Sequence, residues 1–153
     1  MRQLIYYIDK GLGHYEPFYE YSQSNVGVDE FYARQLCTYF ILKGIQYELI
    51  SNEMDENDDI LVIKEIGRNL SGEDERSFRG AGIHIEFRSP YERQNFKLIS
   101  RIPCQSHFDV IRFLLKDVVY VPEIGQMLVT STEIDEDRGV YVIYIKDLEE
   151  ESV

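Results

Sequence analysis

The chain has 153 residues, a length that favours one domain of ordinary size. Its 44% hydrophobic and 29% charged residues are typical of a globular protein and exclude a disordered, collagenous or membrane composition. With 16 basic and 28 acidic residues the formal net charge is -12, which argues against charge-driven binding to nucleic acid or to an anionic bilayer.

The N-terminal residues 1–9 lack the apolar core and the small-residue cleavage site of a signal peptide. No stretch approaches the roughly 18 uninterrupted apolar residues of a membrane helix. We therefore expect a cytoplasmic protein with no membrane partner. Cys37 and Cys104 are expected to be reduced thiols, because a domain with this much core needs no disulfide.

The first half of the chain predicts a strand, an aromatic segment, a helix and a hairpin. β-branched and aromatic residues predict a strand over 3–8. The segment 10–28 is either a functional loop or contains a short strand near 18–21. A helix is predicted over about 29–43, with Asp29 as N-cap and Gly44 as left-handed C-cap, and its second half is apolar nearly all round.

The later elements follow from alternation of polar and apolar residues and from turn residues. They are a hairpin of 46–51 and 59–66 joined by a polar turn, a glycine-rich loop over 67–82, a strand 83–88 with one solvated face and its partner 96–102, a helix 106–116, a strand 118–121, and a hairpin of 127–134 and 140–146.

The predicted fold class is α+β, with a largely antiparallel sheet built from hairpins and two helices at about 29–43 and 106–116. We expect one domain over residues 1–147, followed by an acidic tail over 148–153 that frays. No internal repeat is apparent in the sequence.

Positive charge is concentrated in the middle of the chain. Residues 64–101 hold 8 basic and 6 acidic residues, whereas 1–63 and 102–153 each hold 4 basic and 11 acidic ones. If Arg88 pairs with Lys97 across the predicted hairpin, His84 faces Arg101, and cations crowd one surface. The plain interpretation is a solvated face whose arginines pair with surplus carboxylates. The alternative is an anion site, with candidates Arg68, Arg76, Arg79, His84, Arg88 and Arg101.

Motifs for metal, nucleotide or nucleophilic chemistry are incomplete. The acidic run 55–59 lacks the glycine and the final glutamate of a calcium loop and predicts a hairpin turn. Cys104 and His107 lack the second ligand pair of a zinc site, and the glycines at 11 and 13 lack the third glycine of a dinucleotide loop. Ser106 fits a helix cap better than a nucleophile. We expect no catalytic residues, no metal and no cofactor.

Aromatic residues are concentrated in the first 47 positions, and most are expected to be core tyrosines. Four of them lie beside Glu16 and Glu20 in the segment 10–28, and tyrosine beside charge is typical of protein-binding surfaces. These partner-binding candidates are Tyr15, Phe18, Tyr19 and Tyr21.

Three function classes remain open. The first is a non-enzymatic binding protein of inhibitor, immunity or regulatory type that docks on a basic protein partner. The second is a small anion-binding domain or enzyme that uses the arginine-bearing middle segment, with His84 or Glu86 as acid or base. The third is a homo-oligomeric structural subunit that buries the apolar half of the first helix, or a sheet edge, against a copy of itself.

Overall fold

A computed structural model describes residues 2–69 and 72–149, which form a ten-stranded sheet. The strands are β1 (Gln3–Asp9), β2 (Tyr15–Ser22), β3 (Tyr39–Leu42), β4 (Ile45–Met54), β5 (Asp58–Arg68), β6 (Ile83–Arg88), β7 (Leu98–Cys104), β8 (Val118–Val121), β9 (Gly125–Asp135) and β10 (Val140–Asp147). The spatial order is β2-β1-β5-β4-β3-β9-β10-β6-β7, with β8 paired to one end of β9. Most pairs are antiparallel, so the predicted α+β class is confirmed.

The helices are α1 (Gln23–Val26), α2 (Val28–Gln35) and α3 (His107–Leu114), and a 3-10 turn spans Glu92–Gln94. Helices α2 and α3 contact each other on one face of the sheet. Within the described residues, no helix has the length and apolarity to cross a membrane.

The predicted helix 29–43 is wrong in its second half. Helix α2 ends at Gln35, and the apolar residues that follow form β3. Lys43 and Gly44 have φ of 53° and 75° and make the two-residue turn between β3 and β4, so Gly44 is a hairpin residue and not a helix cap. A short apolar run fits a buried strand as well as a buried helix, and Tyr39, Phe40 and Ile41 favour the strand.

This correction also removes one of the two reasons for expecting self-association, the apolar half of the first helix. Strand β3 lies in the middle of the sheet between β4 and β9, so its apolar residues are covered within the same chain. The homo-oligomer stays a prediction that now rests on a sheet edge, either β2 or β7.

The other predicted elements lie close to their observed positions. Segment 10–28 contains the strand β2, and the described residues also include the short helix α1 in this segment. Both hairpins, the strand pair β6–β7, α3 and β8 are present. Cys37 and Cys104 are free. Strand β10 ends at Asp147, and residues 150–153 of the predicted tail lie outside the described residues.

The fold contains a repeat that the sequence does not reveal. β1, β2, α2, β3, β4 and β5 have the same order and pairing as β6, β7, α3, β8, β9 and β10. Helices α2 and α3 each have 8 residues, and each is followed, after a three-residue link, by a strand of 4 residues. The repeat is therefore one of topology, without a repeat that is apparent in the sequence.

Irregular features occur at equivalent positions of the two halves. Phe18 is a bulge residue that is skipped in the pairing of β2 with β1, and Ile99 is skipped in the same way in the pairing of β7 with β6. In the same way, Ile50 is passed over between β4 and β5 and Thr130 between β9 and β10. Bulges bend and twist a strand, so the shared bulges bend both halves at equivalent positions. The pair β4–β5 has a further register shift, between Gln46 and Tyr47, that the pair β9–β10 lacks.

The halves join where β3 runs parallel to β9, through Tyr39–Ile41 and residues 133–135. Because β3 is antiparallel to β4, β4 is antiparallel to its counterpart β9, and the halves are related by a pseudo-two-fold axis normal to the sheet. Such an axis keeps both helices on one face. The main core lies there and includes Leu4, Tyr6, Phe31, Phe40, Ile85, Phe87, Val110 and Ile143.

Candidate functional site: a polar cleft on the helix-free face

The face of the sheet opposite α2 and α3 carries a cleft of about 1010 Å³. Its floor is formed by β3, β9, β10 and β6, and its walls include residues 72–75 and 90–97. Along a strand, side chains at alternate positions share a face. Glu133 and Asp135 on β9 therefore point to the same side as Tyr144 on β10 and as Glu86 and Arg88 on β6.

Glu133 is the central acid of the cleft and is only 2% exposed. Its Oε1 accepts a hydrogen bond of 3.0 Å from Gln46 Nε2, and its Oε2 accepts one of 3.1 Å from Tyr144 Oη. Burial, together with the nearby charge of Asp135, raises the pKa of Glu133 to about 7. Both hydrogen-bond donors are neutral, and among the residues that the structure describes Glu133 forms no ion pair.

Asp135 is buried beside Glu133 and, unlike Glu133, forms an ion pair with an arginine. Arg138 Nε donates to Asp135 Oδ2 at 2.9 Å, and the backbone N–H of Arg138 donates to Asp135 Oδ1 at 3.1 Å. Burial raises the pKa of Asp135, and Arg138 opposes that rise. The two neighbouring carboxylates thus have unequal environments, which leaves Glu133 as the acid without a cationic partner in the described chain.

Glu86 is fully buried between arginines. Its Oε1 accepts from Arg88 Nε at 2.8 Å and from Arg138 Nη2 at 2.8 Å, and its Oε2 accepts from Arg138 Nη1 at 3.0 Å. Arg101 Nε lies 3.9 Å from the same Oε2. Burial raises the pKa of Glu86, but the hydrogen bonds from Arg138 and Arg88 outweigh it and hold the pKa below its usual value.

Arg88 links this cluster to the wall of the cleft. Its Nη1 donates to Asp74 Oδ1 at 2.9 Å and to the carbonyl of Phe96 at 3.0 Å. Asp74 in turn accepts from the backbone N–H of Leu98 at 2.8 Å, so one carboxylate ties two wall segments together. Nη2 of Arg88 is buried and has no hydrogen-bond partner within residues 2–69 and 72–149.

Two expectations about β6 and β7 are wrong. The register places Glu86 opposite Arg101 and His84 opposite Pro103, and a bulge places Arg88 opposite Leu98 instead of Lys97. The polar side of β6 is not solvated either, because Glu86 and Arg88 are buried under the loop segments. Glu86 lies among these cations, and its negative charge offsets their mutual repulsion.

The predicted anion-site residues are divided between separate places. Arg68 and Arg88 line the cleft, and Arg101 approaches Glu86 beneath it. Arg76 stacks on Phe78 at 4.8 Å from the ring centre. Arg79 and His84 line a second, smaller cavity at the end of the sheet. The structure therefore does not gather the six side chains around one point, and whether any of them binds an anion stays a prediction.

The four predicted partner-binding aromatics also differ in their surroundings. Tyr15 and Tyr19 are exposed on the outermost strand β2, whereas Phe18 is half-buried against Tyr47 and Tyr21 is buried beneath Arg34. Tyr19 pairs with Tyr6 and shares its helix-covered face, while Tyr15 pairs with Asp9 on the cleft side. Tyr15 alone of the four is both exposed and on the same face as the cleft.

The carboxylates of the acidic turns accept hydrogen bonds from backbone N–H groups. Asp55 Oδ1 accepts from the backbone N–H groups of Asn57 and Asp58, which closes the predicted hairpin turn. In the β9–β10 turn, Asp137 accepts from the backbone N–H groups of Lys43 and Gly44 at 2.7 and 2.8 Å. Across the described ranges, no three His, Cys, Asp or Glu side chains are grouped so as to hold a metal ion.

Sequence reasoning missed Glu133, Asp135, Arg138, Tyr144 and Gln46 as site residues. The alternation of β9 and β10 predicts which side chains share a face, and this signal would have grouped Glu133 with Tyr144. It does not predict that loops cover that face. The equivalents of Glu86, Arg88 and Glu133 in the first half are Ile5, Tyr7 and Glu53, so the pair of Glu86 and Arg88 has no charged counterpart in the first half.

Comparisons of this chain with protein-family models, with curated proteins and with solved structures give no match.

Proposed function

We propose that the protein is a small acidic binding protein, without enzymatic activity, that docks on a basic protein partner. In this proposal a Lys or Arg side chain of the partner enters the cleft and pairs with Glu133. The observation that carries the proposal is a buried carboxylate that has neutral hydrogen-bond donors but no cationic partner in the described chain. A buried acid in such surroundings takes up a proton, and an entering cation can replace that proton.

The overall charge supports the same partner. A net charge of -12 accelerates the encounter with a positively charged protein and repels acidic ones. The cleft, at about 1010 Å³, has room for a long basic side chain and part of its backbone. Tyr15 lies on the same face and is a second contact in this proposal, since exposed tyrosines often anchor protein interfaces.

The direct test uses a capped arginine, N-acetyl-arginine methylamide, as the probe. We expect it to bind with an affinity that increases as the pH rises through about 7, because Glu133 must release its proton to pair with the guanidinium group. Glu133→Gln is expected to weaken this binding at least tenfold, since removing one member of a buried charge pair typically costs about 2–5 kcal/mol. Titration calorimetry at pH 6 and pH 8 measures both effects.

The matched control is Glu56→Gln, which removes one exposed negative charge from the β4–β5 turn. It is expected to leave probe binding within about twofold of the original protein, because an exposed charge contributes little. A basic protein partner must bind the original chain and Glu56→Gln and lose affinity for Glu133→Gln. If the partner binds Glu133→Gln as tightly as the original protein, the partner does not use the cleft. The proposed function is overturned if the original protein binds neither the capped arginine nor any basic protein.

The unpartnered nitrogen of Arg88 favours a second candidate function, the binding of an anionic ligand in the same cleft. Here phosphate is the probe, and sodium chloride at equal ionic strength is the control. If Arg88 holds an anion, phosphate should raise the melting temperature more than the chloride does, because a ligand that binds the folded state stabilises it. Equal melting temperatures in the two salts would remove this candidate.

A further inference from the structure

A second cavity of about 290 Å³ lies at one end of the sheet, away from the proposed docking cleft. It is lined by α2, the start of α3, the β9–β10 turn and the segment before β6. The residues that matter for its chemistry are Arg34, Phe78, His84, His107 and Tyr141. Its volume is at the lower end of the range of about 300–1,000 Å³ that is usual for small-molecule sites.

Two buried polar atoms of this lining have no hydrogen-bond partner among the described residues. They are Oη of Tyr141, a residue that is only 5% exposed, and Nδ1 of His84. Most buried polar atoms in folded proteins are hydrogen-bonded, because an unpaired one costs free energy. Both atoms belong to residues that line this cavity, and together they point to a ligand that supplies a donor and an acceptor.

The positive and negative charges of the side chains that line the cavity are equal in number. Arg34 pairs with Glu30 at 2.8 Å and with Glu136 at 2.6 Å, and Arg79 Nη1 donates to the carbonyl oxygen of Glu136 at 2.8 Å. Two arginines thus face two glutamates. His107 Nε2 lies 3.6 Å from Glu30 Oε1, and burial lowers the pKa of His107, which favours the neutral ring. An ion of either sign gains no net attraction here, so the lining suits an uncharged ligand.

Flat rings form much of the wall. The ring centres of Phe78 and His84 are 4.7 Å apart, and those of His107 and Tyr141 are 5.7 Å apart. Aromatic side chains and imidazoles are the usual stacking partners of planar nitrogen heterocycles such as nucleobases. We propose that this cavity is a binding site for a planar, uncharged nitrogen heterocycle of nucleobase size, which stacks against one of these ring pairs and hydrogen-bonds to Tyr141 and His84.

The probes are adenine and uracil, each titrated into the full chain and followed by calorimetry and by the imidazole NMR signals of the histidines. We expect saturable binding of at least one base, with shifts of the His84 and His107 signals. The substitution Tyr141→Phe removes a single oxygen and is expected to weaken binding about two- to tenfold, the usual effect of one lost hydrogen bond. The melting temperature of the unliganded Tyr141→Phe protein should be equal to or above that of the original, since the lost hydroxyl has no partner in the described chain.

Tyr120→Phe is the matched control, because Tyr120 is 64% exposed and lies on β8 outside the cavity. It should leave base binding unchanged. The proposal is overturned if neither base binds, if acetate or methylguanidinium binds as well as the bases, or if Tyr120→Phe weakens binding as much as Tyr141→Phe. None of these outcomes depends on Glu133 or on the capped arginine.

Discussion

Replacing Glu86 by glutamine is expected to destabilise the protein by about 3–5 kcal/mol. Glu86 is fully buried and accepts hydrogen bonds from Arg88 and Arg138, and Arg101 lies 3.9 Å away. A glutamine keeps the size of the side chain but removes the negative charge, which leaves buried guanidinium groups close together. The attraction that offsets their desolvation is then lost, although Asp74 and Asp135 still hold one arginine each.

Urea unfolding at pH 7 measures this cost from the midpoint and slope of the transition. Glu65→Gln on the exposed part of β5 is the control and should change stability by no more than about 0.5 kcal/mol. Because Glu86 and Arg88 interact directly, the double variant Glu86→Gln, Arg88→Gln should lose less than the sum of the single variants. A loss below about 1 kcal/mol for Glu86→Gln would contradict the assigned role of this carboxylate.

The strands of this fold were largely predictable, because local signals determine them. Alternation identifies β6, and glycine or acidic turns identify the ends of the two hairpins β4–β5 and β9–β10. The helix α3 was also predictable, since its apolar residues recur with a helical period and a serine precedes them at the N-cap position. These elements need no information about distant parts of the chain.

The junction between α2 and β3 was not predictable from local pattern. Residues 36–42 are apolar at nearly every position, and a buried helix and a buried central strand both require that. What decides between them is the neighbours β4 and β9, which supply hydrogen bonds on both sides of β3. β9 lies more than 80 residues further along the chain, beyond the reach of any local signal.

The duplicated topology escaped sequence analysis for a related reason. Equivalent core positions require an apolar side chain of suitable size and not the same residue. Tyr6 corresponds to Phe87, and Phe31 corresponds to Val110, and all four are buried against the same helix-covered face. The two halves therefore share a fold and bulges while their sequences differ.

The cleft depends on tertiary structure even more strongly. Glu133 receives a hydrogen bond from Gln46, which is 87 residues away, and the segments that bury this acid come from between β5 and β7. In sequence, Glu133 is one polar residue of a half-polar strand. Its function as a buried acid arises only when loops cover a face that alternation alone predicts to be solvated.

Glu133→Gln is expected to make the protein more stable above pH 7, by about 3 kcal/mol at most. The pKa of Glu133 is about 7 in the folded protein, and its ordinary value is 4.5. Below pH 4.5 the side chain is protonated in both the folded and unfolded states. As the pH rises towards 7, the unfolded chain releases its proton first, so the free energy of unfolding falls, and above pH 7 it levels off. Each pH unit of this window corresponds to about 1.4 kcal/mol.

The measurement is the free energy of unfolding of the original protein and of Glu133→Gln at several pH values between 4 and 8.5. Subtracting one curve from the other removes the contributions of titrating groups that do not interact with Glu133. The difference should be small at pH 4, grow in favour of the variant up to pH 7, and then stay constant, while Glu56→Gln should show no such trend. A difference that is independent of pH, or one that favours the original protein at pH 8, would mean that a cation already pairs with Glu133. If Glu133 lowers stability at neutral pH, and if its replacement weakens the binding of capped arginine, then Glu133 is explained by a role in binding and not by a role in folding.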